Sequence, residues 1–247
     1  MHSKNFKNNV IISLVMLSIS FLIYFIQISY FHNIHETMFL LFQELAFLPI
    51  SVILISYVLE KYMKSIEKEE NFKKLQIVVS AFYSEVGTNL IRMLSSFDSN
   101  VGEFKENMNF EKELRSKDKK KFINSLKNFD YDIDSHNGDM EELKQFLLSK
   151  KIYIARMFEN PNLLEHSRFT DMLWSVYHLL DELENRDDFK TLPKNDLVHL
   201  SIDVKRAYPL LIIEWFEYMS YLNKEYPYLY SLAIRKSPFE ENHIIID

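Results

Sequence analysis

The sequence predicts an all-α protein in two parts: an N-terminal transmembrane helical hairpin, then a stalk helix and an all-α cytoplasmic helical bundle. Three observations predict it. The first sixty residues carry two Lys and three Glu, whereas the other 187 carry 27 basic and 32 acidic side chains. The chain holds 3 glycines in 247 residues, against the roughly seventeen that average usage supplies, which leaves little for Gly-turned β architectures. Beyond the apolar head, hydrophobic residues recur at helical rather than strand period.

Within the head, residues 10–31 form a run of 22 without a charge. As a helix this run is about 33 Å long, enough for a hydrocarbon core of roughly 30 Å. A second run, residues 38–59, is as long and carries one acid, Glu44. A cleaved signal peptide is the competing reading of the first run. Its length, its lack of a small-x-small cleavage site and the second run close behind argue against it. The predicted domains are therefore 1–60, a hairpin with spans about 10–31 and 38–59, and 61–247, a stalk and cytoplasmic domain. Lys4 and Lys7 precede the first span, and Lys61, Lys64, Lys68, Lys73 and Lys74 follow the second. The connection HNIHET has no Lys or Arg. Basic residues stay on the cytoplasmic side, so both termini are expected there, in a multi-pass protein of the cytoplasmic membrane whose first partner is the bilayer.

After the second span, Leu75, Val79, Phe82, Val86, Leu90, Met93 and Phe97 follow one another at three or four residues, the stripe of a long amphipathic helix. Gly87 interrupts it and suits close packing. The stretch 98–121 reads as polar and lysine-rich, its basic run 112–121 as a solvated helix face, with contact to anionic lipid heads the alternative. Short or long helices follow at 122–128, 139–158, 161–186 and 194–225. Pro161 and Pro193 stand at acceptable helix starts, with Thr170, Asp171 and Asn195 suited to first turns. Pro209 is expected to divide the last helix at Tyr208. The tail HIIID is the one brief strand-like stretch.

Candidate chemistry is sparse. With no Cys there is no disulfide, thiolate nucleophile or zinc–cysteine site. No Gly-rich phosphate loop and no hydrolase or metalloprotease signature can be written. No catalytic residue and no cofactor is called for. Gln43 and Glu44 are polar side chains within a predicted span, and an acid there faces a partner, a cavity, a pore or the interface. Asp130, Asp132, Asp134 and Glu141 match positions 1, 3, 5 and 12 of a calcium loop, but Ser135 stands where the turn needs Gly, so a solvated loop is expected. His178 with Glu182, and His199 with Asp203, are i, i+4 pairs, and Glu85 and Glu214 stand on other helical segments. Helical bundles build carboxylate–histidine metal sites from such pairs. No ExxH pair occurs, however, and Trp174, Tyr177 and Leu180 surround the first His, so hydrogen-bonded structural histidines are the expected reading and a metal its alternative. The aromatic segment 215–230 reads as helix packing rather than as a ligand cage. The basic run 112–121 is diluted by acids on a net-acidic body, which argues against nucleic acid.

Four stretches carry a resemblance: LFQELAFLPI, AFYSEVGTNLI, FENPNLLEHSRFTDMLWSVYHLLDELENR and HLSIDVKRAYPLLIIEWFEYMSYLNKEYPYLYSLAIRKSPF. Together they resemble a family of uncharacterised bacterial and archaeal two-span membrane proteins with a helical cytoplasmic body. The resemblance runs from about residue 38 onward and implies architecture, with no activity to carry over. The first functional expectation is a non-enzymatic, membrane-anchored interaction, sensing or scaffold protein that self-associates or meets a membrane-associated partner. An oligomeric channel with Glu44 in its pathway is the second. A membrane-tethered helical enzyme with a His/carboxylate metal site is the third.

Overall fold

A computed structural model describes residue 15 and residues 18–29, 34–116, 118–163 and 166–239. The chain divides into two compact units, Met1–Lys68 and Glu69–Asp247. In the first, helix α1 covers Ser18–Ser29, and the rest of the first predicted span falls largely outside the described residues. Helix α2, Ile34–Phe82, then runs 49 residues through Pro49. The Ser51 hydroxyl donates to the Leu48 carbonyl at 2.8 Å, a local contact beside the break in hydrogen bonding that Pro49 imposes. Val52, Ile53, Leu54 and Ile55 are each more than half exposed. Successive residues turn by about 100°, so four in a row leave apolar surface around most of the helix. Among the described residues this is the one helix long and apolar enough to cross a membrane, and no residue of its 18-residue apolar window is buried. Exposed i, i+4 pairs Glu60–Lys64 and Glu69–Lys73, at 2.6 and 2.7 Å, accompany the charged stretch with modest support.

From Leu75 the apolar surface narrows to one stripe, and that stripe is buried: Leu75, Val79, Phe82, Val86, Leu90 and Phe97 all lie in the core of the second unit. A π turn, Tyr83–Gly87, separates α2 from α3, Thr88–Ser95. Its cause is packing around Gly87. A Cβ there would stand 2.5 Å from the Tyr83 ring and 2.8 Å from that of Phe82. The Tyr83 ring stacks on Tyr218 at 5.3 Å, and its hydroxyl donates to the Leu211 carbonyl at 2.9 Å.

The lysine-rich stretch is more ordered than its composition predicts. It contains α4, Val101–Asn107, α5, Phe110–Arg115, and the start of α6, Lys119–Asn128. Phe104, Phe110 and Leu114 drop into the core from it, and the Asn109 and Asp118 side chains cap α5 and α6. Helix α7, Met140–Met157, begins at the Asp139 cap. The predicted helix 161–186 is two pieces, a 3₁₀ turn at Pro161–Leu163 and α8, Ser167–Glu184, with His166 as the cap in place of Thr170 or Asp171. Helix α9 spans Lys194–Glu225, and α10, Pro227–Arg235, follows.

Pro209 does not divide α9. A mid-helix proline costs about 3 kcal/mol, but α9 packs against α3, α5, α6, α8 and α10. It buries Leu211, Ile212, Trp215, Phe216 and Met219 just beyond the proline, and a single large apolar side chain contributes about 1.5–3 kcal/mol. Strand structure among the described residues is one isolated antiparallel bridge, Asp98 to Ile133; the HIIID tail lies outside them.

Two glycines should respond in opposite directions. Gly87→Ala forces the Tyr83 and Phe82 rings to move and should destabilise the body by about 1–3 kcal/mol. Gly102, in α4, has open space where its Cβ would be, so Gly102→Ala should stabilise by about 0.5–1 kcal/mol. Thermal unfolding of the detergent-solubilised full chain, followed by ellipticity, measures both; equal effects would contradict the packing account.

Candidate functional site

Helices α8 and α9 run antiparallel, and this places the two i, i+4 pairs opposite one another. His178 of α8 faces Asp203 of α9, with Nε2 to Oδ1 at 3.4 Å. One turn along, Glu182 faces His199, with Oε2 to Nε2 at 3.8 Å. Along each helix the spacings are 3.9 Å from His178 Nε2 to Glu182 Oε1 and 3.5 Å from His199 Nε2 to Asp203 Oδ2. One ligand atom from each of the four residues lies within 4.8 Å of the other three. These separations are longer than those of good hydrogen bonds.

Two arginines border the cluster. Arg186 Nη1 donates to Glu182 Oε2 at 2.7 Å and holds that carboxyl below the usual carboxylate range, helped to a lesser extent by His199 and His178. Arg206 Nη1 donates to Asp203 Oδ1 at 2.7 Å. The Asp203 side chain is 1% exposed, and its Oδ2 is buried without a hydrogen bond. The imidazoles are 43% and 50% exposed. The cluster therefore has the Asp203 carboxyl as its buried floor and the two imidazoles as an open rim.

The other acids named from sequence do not join it. Glu85 Oε2 pairs with Lys150 at 3.2 Å. Glu214 lies about 16 Å further along α9, 4% exposed, with Arg168 Nε 3.7 Å from its Oε1; Arg168 also forms a two-pronged pair with Glu217. Burial, with Glu217 adding to it and Arg168 opposing, pushes Glu214 up to about 7. In the loop, Asp130 stands 3.8 Å from Lys205, Asp134 accepts from His136, and Glu141 accepts from Gln145 at 3.2 Å, so these three acids have separate partners. Trp215, Phe216 and Tyr218 are core, while Tyr226 and Tyr228 are exposed. In the head, the Tyr24 hydroxyl donates to Glu44 Oε2 at 3.2 Å, and Gln43 is exposed.

Sequence reasoning missed one polar feature, Asp98, and the setting of another, Glu214. Asp98 is buried and its Oδ1 accepts from the backbone N–H of Asn100 and Asp132 at 3.1 and 3.0 Å, pinning the acidic loop; nothing in its neighbourhood of sequence signals this. Glu214 borders a cleft of about 500 Å³ with Gln76, Tyr218, Ser220 and Tyr221, for which the acid within the apolar run LLIIEWF is a legible sign.

Residues 71–235 match the family model described as "Uncharacterized protein MJ1433, C-terminal helical domain", and residues 3–63 match "MJ1433, N-terminal helical domain". Uncharacterized protein MJ1433 of Methanocaldococcus jannaschii is 38% identical over 237 residues, covering 96% of this chain and 95% of that protein. The chain belongs to the MJ1433 family. The family description conveys two helical domains and no activity, and the gap between its two parts, residues 64–70, brackets the boundary between the compact units at Lys68. No solved structure matches the chain.

For the family's C-terminal domain in this chain, Glu214 gives a signed pH dependence. An acid whose folded value lies near 7 and whose ordinary value is 4.5 supports folding fully below pH 4.5. That support falls away as pH rises through 7, a loss of about 3 kcal/mol. Glu214→Gln should flatten this slope in denaturant titrations between pH 5 and 8; an unchanged slope would place the titration elsewhere.

Proposed function

We propose that this MJ1433-family protein is an integral protein of the cytoplasmic membrane. In this reading the α1–α2 hairpin lies in lipid, and the helical body works on the cytoplasmic side as an interaction or sensing module. The observation that carries the reading is the circumferential exposure of apolar side chains on α2 across a window with no buried residue. A core helix of a water-soluble protein hides that surface, and lipid is the solvent that accepts it on every side. The lysine distribution supports the orientation. The Tyr24–Glu44 contact satisfies one oxygen of the intramembrane acid from within the same chain, which weakens the channel reading and any need for a second copy at Glu44.

Self-association belongs to this reading on narrower grounds than the sequence offers. The 75–97 stripe and the aromatic centre of α9 are interior to the body, so copies must meet through what stays exposed. Trp174 and Ile152 on the body, and Tyr228 and Leu232 on α10, are exposed apolar side chains open to such contact.

Membranes from cells expressing the full chain, washed with alkaline carbonate, should retain it, and detergent should release it. Recovery in the carbonate wash would overturn the anchor. Native mass spectrometry of the nanodisc-embedded protein should show a dimer or larger; a monomer throughout would remove self-association and leave the anchor standing.

A further inference from the structure

We propose that His178, Glu182, His199 and Asp203 form a binding site for one divalent transition-metal ion that clamps α8 to α9. The inference deepens the sensing reading by naming a ligand, but it rests on the body alone and stands or falls independently of where the head resides.

The first support is metric. Zinc-like ions hold imidazole nitrogen and carboxylate oxygen at about 2.0–2.2 Å, so the edges of a tetrahedron of such ligands measure about 3.4 Å. The nitrogen–oxygen separations around the cluster run from 3.4 to 3.9 Å. With one donor atom from each residue within 4.8 Å of the other three, side-chain adjustment would have to close the shell onto a common centre. Surface ion pairs are seldom so reciprocal: here each imidazole stands within 4 Å of both carboxylates.

The second support is an unanswered charge. Asp203 is buried, and its Oδ2 has no hydrogen-bond donor. A carboxylate oxygen removed from water without a donor is costly, and Arg206 satisfies the other oxygen, not this one. The same division holds at Glu182, where Arg186 takes Oε2. In both carboxylates one oxygen is held by an arginine and also meets the imidazole across the helix pair; the other, Glu182 Oε1 or Asp203 Oδ2, has no arginine and stands 3.9 or 3.5 Å from the imidazole on its own helix. That is the arrangement by which outer partners orient ligating carboxylates. Glu182 Oε1 and Asp203 Oδ2 are therefore assigned as the oxygen ligands, with His178 Nε2 and His199 Nε2 completing the set. The exposed edges of the two imidazoles provide the entry path.

The donor set names the ion class. Two imidazoles disfavour calcium and magnesium, which take oxygen. The lack of any cysteine removes the soft thiolate ligands, leaving a borderline ion such as zinc, iron(II), cobalt or manganese. Four protein ligands close a tetrahedral shell, the pattern of a structural rather than a hydrolytic ion, and ligands drawn from two helices couple the ion to their packing.

The test uses the full chain in detergent, carrying no polyhistidine tag, stripped with chelator and titrated with zinc and with cobalt. One ion per chain is expected by calorimetry, and cobalt should give the intense visible bands of a tetrahedral complex. At a hundredfold excess over Kd, the melting temperature should rise by about 5–10 °C. His199→Ala and His178→Gln change exposed side chains and should leave the ellipticity of the chain intact while weakening binding at least a hundredfold. No binding of either metal would overturn the proposal, as would unchanged affinity in both variants or equal binding of magnesium.

Discussion

Every feature of this chain answers to one constraint, the removal of apolar surface from water, and the chain meets it in two different ways. At Val52–Ile55 the apolar side chains point in every direction around α2 and none is covered by protein. At Leu75–Leu90 the stripe Leu75, Val79, Phe82, Val86 and Leu90 is covered, with Ile77 left exposed on the other side. One helix, α2, carries the change from the first regime to the second, and the charged residues between them carry the solvent-exposed pairs Glu60–Lys64 and Glu69–Lys73. The body then needs a central element that many short helices can share. Helix α9 is that element, and it tolerates Pro209 because burial along its length outweighs one lost backbone hydrogen bond.

A core this apolar makes each buried carboxylate costly, and the body deals with three of them in three ways. Asp98 is buried beneath the loop it pins and takes two backbone N–H groups on Oδ1, its Oδ2 having none; burial raises it against those donors. Glu214 sits deeper, with Arg168 at a distance, and is pushed toward the neutral form. Asp203 has one oxygen on Arg206 and one with no donor, beside two imidazoles that also make no hydrogen bond with it. A divalent ion is the compensation that the geometry of this third site accommodates, and it would act where α8 and α9 pack against each other.

Much of the architecture was legible in the sequence because the dominant signals are periodic. Helix α9 was readable over its whole length, since apolar residues recur at helical period on both sides of Pro209. The division that Pro209 predicts did not occur because tertiary packing overrides a local penalty. The short helices α4 and α5 in the lysine-rich stretch were not legible for the opposite reason: single aromatics such as Phe104 and Phe110 hold them, too few to build a period. The four residues of the cluster were legible as two i, i+4 pairs, but their convergence was not. That depends on the register between α8 and α9, which sets residue 178 against 203 and 182 against 199. Spacing within one helix says nothing about register between two. The arginines that complete the site, Arg186 and Arg206, stand at i+4 from Glu182 and i+3 from Asp203, a spacing common to any surface ion pair.

The absence of native cysteine makes the two regimes of apolar burial directly measurable. Single cysteines at Ile53→Cys, in the exposed apolar window, and at Ser149→Cys, on the exposed face of α7, can be challenged with a membrane-impermeant maleimide. In intact cells neither should react. After the cells are broken open, the cysteine at 149 should label rapidly, while that at 53 should stay protected until the membrane is dissolved and the chain denatured. A cysteine at 53 that labels in broken membranes as fast as the one at 149 would contradict the account, because it would place the apolar surface of α2 in water.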